Sequence, residues 1–113
     1  MPGRQVLNLA HLGVFTLGDV ALEREVLGLF EAELPHTLAE IEAGIATDKP
    51  WYAALHKLKG SAHAVGAERL GDRAKFGQQI AIENGEARGL AIAALRDDVA
   101  AVRAAIAAAY PPV

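Results

Sequence analysis

The sequence predicts an all-α protein: an up-and-down antiparallel four-helix bundle with a short extra helix at the N-terminus. Three observations lead there. Leu and Ala dominate over Val, Thr and aromatic residues, which favours helix over strand. Long segments repeat their apolar residues in steps of three and four. The breaks between these segments are short, and short connections force neighbouring helices to run antiparallel. At 113 residues, 52% of them hydrophobic, the chain can bury one modest core. A single domain spanning residues 1–113 is therefore expected.

A short first helix is expected over about Val6 to Leu12. "TLGD" then breaks the chain, with Asp19 placed to cap the next helix. That helix should run from about Val20 to Ala46. Its apolar residues Val26, Phe30, Leu34, Leu38, Ile41 and Ile45 step by 4, 4, 4, 3 and 4. Pro35 lies inside it. An interior proline costs about 3 kcal/mol in an undistorted helix, so a kink or break is expected near Leu34. "TDKP" is the next punctuation, where Thr47 or Asp48 can cap and Pro50 suits a first turn. A third helix follows from Pro50 to about Val65. Gly66 then makes a left-handed corner. A fourth helix should cover about Ala67 to Glu83, ended by Asn84-Gly85. The last should run from about Glu86 to Ala109, with Leu95, Val99, Val102 and Ile106 buried and Pro111 and Pro112 as its stop.

Composition narrows the function classes. There is no cysteine, which excludes a disulfide framework and a thiolate metal site. No apolar run approaches bilayer length, and the N-terminal stretch is too short and polar for a secretory leader. A soluble, cytoplasmic protein is expected. A formal charge of −3 argues against a general nucleic-acid binder. The charge is unevenly placed. Residues 19–48 carry eight acids against Arg24 alone, which reads as solvated helix faces. Residues 56–75 carry five bases against Glu68 and Asp72, which suits a docking surface for an acidic partner.

The third helix holds the functional signal. With His56 at zero and 100° per residue, Trp51, Leu55, Leu58, Ala62 and Val65 share an arc of about 80°. His56 lies about 140° from the centre of that arc, so it points outward. Lys59, Gly60 and His63 share its face. A mid-helix glycine costs about 1 kcal/mol relative to alanine, and the core gains nothing from it there. Clearance is the physical reason: a missing side chain one turn beyond His56 opens the imidazole to something bulky. Lys59 puts an ammonium beside the same space. A bare imidazole with free space and positive charge suits a nucleophile that receives an anion such as phosphoryl.

"HKLKGSAHAVGAERL" resembles the signature of histidine-containing phosphotransfer (HPt) domains. The resemblance extends through "LGDVALEREVLGLFEAELPHTLAEIEAGIATDKPWYAAL" and covers roughly residues 12–85, the last helix matching only in pattern. It implies a four-helix bundle with His56 as phosphoacceptor. Lys59 would stabilise the phosphoryl oxygens, and Gly60 would give a receiver domain access. Gln78 would hydrogen-bond the ring nitrogen that is not phosphorylated. Register points to the same residue, because His56 stands 11 residues before the corner at Ala67 and Gln78 stands 11 after it. A register error of one residue would put Gln79 there instead.

The resemblance further implies a phosphorelay carrier rather than an enzyme with its own ATP site. His56 would take a phosphoryl group from the aspartyl phosphate of one receiver domain and pass it to another. The receivers would belong to a hybrid histidine kinase and a response regulator, and would supply the Mg²⁺. Lys57, His63, Ala64 and Lys75 are the expected docking residues, on a monomer. His63 lies about 10.5 Å along the axis from His56, too far to share a metal ion on one helix. His11 and His36 read as structural or solvent-facing. The alternative is an HPt-like adaptor that binds receivers or kinases without carrying phosphate. A metal- or cofactor-binding bundle needs inward Glu and His ligands and ranks last.

Overall fold

The computed structural model describes residues 4–111, and all regular structure among them is helical. The helices are α1 (Leu9–Thr16), α2 (Val20–Ala43), α3 (Asp48–Ala64), α4 (Glu68–Gln78) and α5 (Gly85–Ala109). Helix α2 packs on α3, α3 on α4, α4 on α5, and α5 back on α2, while α1 leans on α2. Contacts near both ends show that α3 and α4 run antiparallel, as do α2 and α5. Trp51 meets Gly77 and His63 meets Asp72 across α3 and α4. Glu23 meets Tyr110 and Ile45 meets Arg88 across α2 and α5.

The periodic residues form the core. Phe30, Leu34 and Ile41 of α2, Trp51, Leu55, Leu58 and Ala62 of α3, and Leu95, Val99, Val102 and Ile106 of α5 are all buried. Helix α4 contributes Leu70 and Ala74. Burial of this kind supplies most of the stability of helices whose local propensity alone is marginal.

Several boundaries differ from the sequence reading. The first helix starts at Leu9 rather than Val6. The preceding backbone is spent elsewhere: the Asn8 N–H donates to the Gly66 carbonyl at 2.8 Å, and the Arg69 N–H donates to the Gln5 carbonyl at 3.1 Å. The Asn8 side chain then caps α1 by accepting from the His11 N–H. Helix α2 ends at Ala43, three residues early. Gly44 follows, and a Cβ there would lie 2.9 Å from the Trp51 backbone nitrogen. Pro35 causes no break. It sits on the exposed face, where the Glu31 carbonyl deprived of its helical partner can turn to water.

Helix α3 begins at Asp48. Thr47 occupies the cap position but makes no side-chain capping bond. Gly66 takes φ +86°, and its missing side chain also makes room for Asn8, whose carbonyl oxygen would lie 2.6 Å from a Cβ. Helix α4 stops at Gln78, five residues short of the expected end. Asn84 caps α5, by accepting from the Ala87 N–H at 3.1 Å, and does not end α4. Pro111 follows the end of α5, and Pro112 lies outside the described residues.

Arg88 explains the early end of α4. It is buried at 2% exposure on α5. Its guanidinium donates to the carbonyls of Ile80 and Ile45, binds the Asp48 carboxylate at 3.0 Å, and lies over the Trp51 ring at 4.7 Å. A single side chain thus satisfies the loop after α4, the loop after α2 and the start of α3.

Candidate functional site

His56 sits near the middle of α3 with its side chain exposed to solvent. Side chains on an α-helix lean towards its N-terminus, so the His56 ring leans back over the turn that carries Tyr52. The two rings lie nearly parallel, 10° apart in plane with centroids 5.9 Å apart. By the same rule a side chain at position 60 would lean back over His56. Position 60 is glycine, and a Cβ there would meet nothing within 4 Å. The imidazole therefore has an aromatic wall on one side and open space on the other.

Helix α4 supplies the third contact. Nε2 of Gln78 lies 3.2 Å from Nδ1 of His56. Gln79 is exposed, so the antiparallel register brings Gln78 to His56 and leaves its neighbour aside. The register is set by Trp51, whose indole N–H donates to the Gly77 carbonyl at 2.9 Å, and by Leu55, which packs where a Gly77 side chain would be. With Nδ1 engaged, Nε2 is the ring nitrogen left for chemistry.

The surrounding charges are fewer than the sequence suggested, because acids from other helices fold onto them. Lys57 reaches Glu40 at 3.6 Å and Glu33 at 4.0 Å on α2. Arg73 pairs with Asp98 of α5 at 2.8 Å. Lys59 is half-buried and Lys75 exposed, and neither forms an ion pair among the described residues. Ala64 is exposed and lines a shallow groove between α2 and α3 with Leu29, Leu58 and Ser61. Lys59 and Lys75 thus keep their charge unpaired among the described residues, while Lys57 is tied to α2.

His63, expected as a docking contact, also holds a partner within the chain. Its Nε2 meets the Asp72 carboxylate at 3.1 Å, and its ring lies where a Gly71 side chain would stand, 2.2 Å from the position of a Cβ. Asp72 also accepts from the Arg4 guanidinium at 2.8 Å. The Arg4 hydrogen bond holds the Asp72 carboxyl below the usual range, against the opposing effect of burial, and the His63 contact adds to it. His63 and Asp72 thus bracket α3, α4 and the N-terminal segment together.

The other histidines stand apart from the site. His11 is half-buried and packs edge-on against Phe15 at 5.2 Å. His36 is solvent-facing and meets the Glu40 carboxylate at 3.1 Å. Glu33 and His36 have the Glu-x-x-His spacing of metal-binding bundles. Both side chains point to solvent, at 65% and 71% exposure, so they cannot form an inward ligand set. Among the described residues no three acidic or histidine side chains gather so as to hold a metal ion.

Sequence reasoning missed Tyr52 and Arg88. Tyr52 could have been found, since it stands one helical turn before His56 on the same face. Arg88 offered no local signal, because its partners come from three distant segments.

No curated protein and no solved structure matches the chain. A sequence model of the Hpt domain matches residues 25–105, which takes in α3, α4 and most of α2 and α5. The match reaches further into α5 than the motif resemblance did. Such domains are the histidine phosphotransfer modules of phosphorelay signalling by two-component systems, phosphoryl carriers without an ATP-binding domain of their own, and the chain belongs to the Hpt domain family.

Proposed function

We propose that His56 accepts a phosphoryl group from the aspartyl phosphate of one receiver domain and passes it to a second. The observation that carries this reading is the ring's setting: exposed, held at Nδ1 by Gln78, and uncovered on the side of Gly60. Helices α2 to α5 are read as the up-and-down four-helix bundle that makes this setting rigid. The chain acts as a single-domain, monomeric cytoplasmic carrier whose receivers belong to a hybrid histidine kinase and a response regulator.

In the transfer, the Nε2 lone pair attacks phosphorus opposite the aspartyl oxygen. The P–N bond forms as the P–O bond breaks, and the carboxylate returns to the receiver. The ring keeps its proton on Nδ1, which requires an acceptor there. A half-turn of the Gln78 carboxamide presents its oxygen to that proton. Lys59 stabilises the phosphoryl oxygens, and the receiver brings Mg²⁺ with its own acidic pocket. Docking uses the small residues Gly60 and Ala64 beside Lys59 and Lys75, over an area modest enough to allow exchange of partners.

Incubation with a phosphorylated receiver domain and Mg²⁺ tests this. Acid-labile label should appear on the native chain and not on His56→Gln. Label on both would move the acceptor elsewhere. Label on neither, across several receivers that bind, would favour the adaptor reading.

A further inference from the structure

We infer that Tyr52 is a positioning residue for phosphoryl transfer, stacking on the His56 ring so that Nε2 faces the open side of the helix. The inference rests on the reading of His56 as phosphoacceptor and adds a residue to that site. A histidine side chain has two torsions to settle. The Gln78 contact, made from a neighbouring helix, settles which ring nitrogen turns towards α4. One hydrogen bond at Nδ1 still leaves the ring free to swing about it. The near-parallel Tyr52 ring removes that freedom by offering its face at stacking distance.

The surroundings favour a positioning role over a packing one. Tyr52 is 54% exposed and is not part of the buried core, so the core does not need it. It lies on the side towards which His56 leans, and the opposite side is left bare by Gly60. The arrangement is directional: a wall behind the imidazole, a tether at Nδ1 and clearance in front. Transfer by in-line attack gains most from restricting the nucleophile to a single approach. The phenol hydroxyl has no hydrogen-bond partner among the described residues, so the ring face and not the hydroxyl is the active part.

The experiment compares native chain, Tyr52→Ala and Tyr52→Phe with two phosphodonors. One is a phosphorylated receiver with Mg²⁺. The other is phosphoramidate, which needs no docking: Nε2 forms its bond to phosphorus as the donor's P–N bond breaks and ammonia leaves. Tyr52→Ala should be slower with both donors by about three- to tenfold. Tyr52→Phe should stay within about twofold of native, as retention of the ring predicts. NMR of the His56 ring adds a readout that needs no transfer. Native and Tyr52→Phe chains should show upfield-shifted ring protons and one χ1 rotamer, and Tyr52→Ala should lose both.

Three results would overturn the inference. Slowing with the receiver alone would make Tyr52 a docking contact. A Tyr52→Phe chain as slow as Tyr52→Ala would assign the effect to the hydroxyl. An unchanged His56 spectrum in Tyr52→Ala would show that the stack orders nothing. Failure of the phosphoacceptor reading looks different, because native chain and His56→Gln would then behave alike with both donors while the NMR comparison still decides whether Tyr52 orders the ring.

Discussion

Gln78 and His56 meet at 3.2 Å although 22 residues separate them in sequence. The contact exists because α3 and α4 are antiparallel and turn at Gly66, with Trp51 fixing the register from below. Removal of the carboxamide frees the imidazole without touching the core. Gln78→Leu should therefore slow phosphoryl transfer by about five- to tenfold, the worth of one hydrogen bond. Thermal stability should stay nearly unchanged, since the position is only half-buried. Gln79→Leu is the matched control and should transfer at the native rate.

Gly60 separates stability from access. A methyl group there would meet nothing within 4 Å. Gly60→Ala should raise stability by up to about 1 kcal/mol, through helix propensity alone. The same change should slow transfer from a receiver, and Gly60→Leu should slow it further, because each side chain leans over His56. Thermal melts and transfer rates measured on the same three chains check this. A rise in both quantities together would remove clearance as the reason for the glycine.

Arg88 is the buried cation on which three segments depend. Arg88→Met should cost about 3 kcal/mol, because the Ile45 and Ile80 carbonyls lose their donor in a dry site. Lysine should rescue little, since a single ammonium cannot reach two carbonyls and a carboxylate in the same fork. Urea denaturation of the three chains measures the difference. A loss near zero for Arg88→Met would mean that water enters and takes over those carbonyls.

The tail end of α5 should be sensitive to alkali. Tyr110 donates to the Glu23 carboxylate at 2.8 Å, and Glu23 is 8% exposed. Burial first, and then the Glu23 hydrogen bond, push the phenol up to about 12. The folded state thus favours the protonated phenol. This stabilisation is complete below the ordinary tyrosine value near pH 10 and is lost as pH rises from there through about 12. Tyr110→Phe should lower stability at neutral pH by about 1–2 kcal/mol. It should also remove that part of the alkaline dependence in melts recorded between these limits.

How much of this was legible beforehand differs between helix interiors and helix ends. The interiors of α2, α3 and α5 follow their apolar spacing, because burial is what stabilises them. Helix ends are mixed: the Asp19 start of α2 and the Ala109 end of α5 fall where expected, whereas other ends are decided by partners far away in sequence. Asn8 gives its backbone to Gly66, which delays α1, and Arg88 takes the Ile80 carbonyl, which shortens α4. In the site, His56, Lys59 and Gly60 could be read from one helical stripe, and Gln78 from equal rise along two helices. Lys57 and Arg73 could not be judged, since the acids that pair with them lie on α2 and α5. His63 was equally opaque, because its place depends on the missing side chain of Gly71.

The central claim is tested most directly by locating the phosphoryl group. After incubation with a phosphorylated receiver and Mg²⁺, ³¹P NMR and peptide mass spectrometry of the isolated chain should place one phosphoryl group on Nε2 of His56. A phosphoryl group on Nδ1, or on any other residue, would contradict the account.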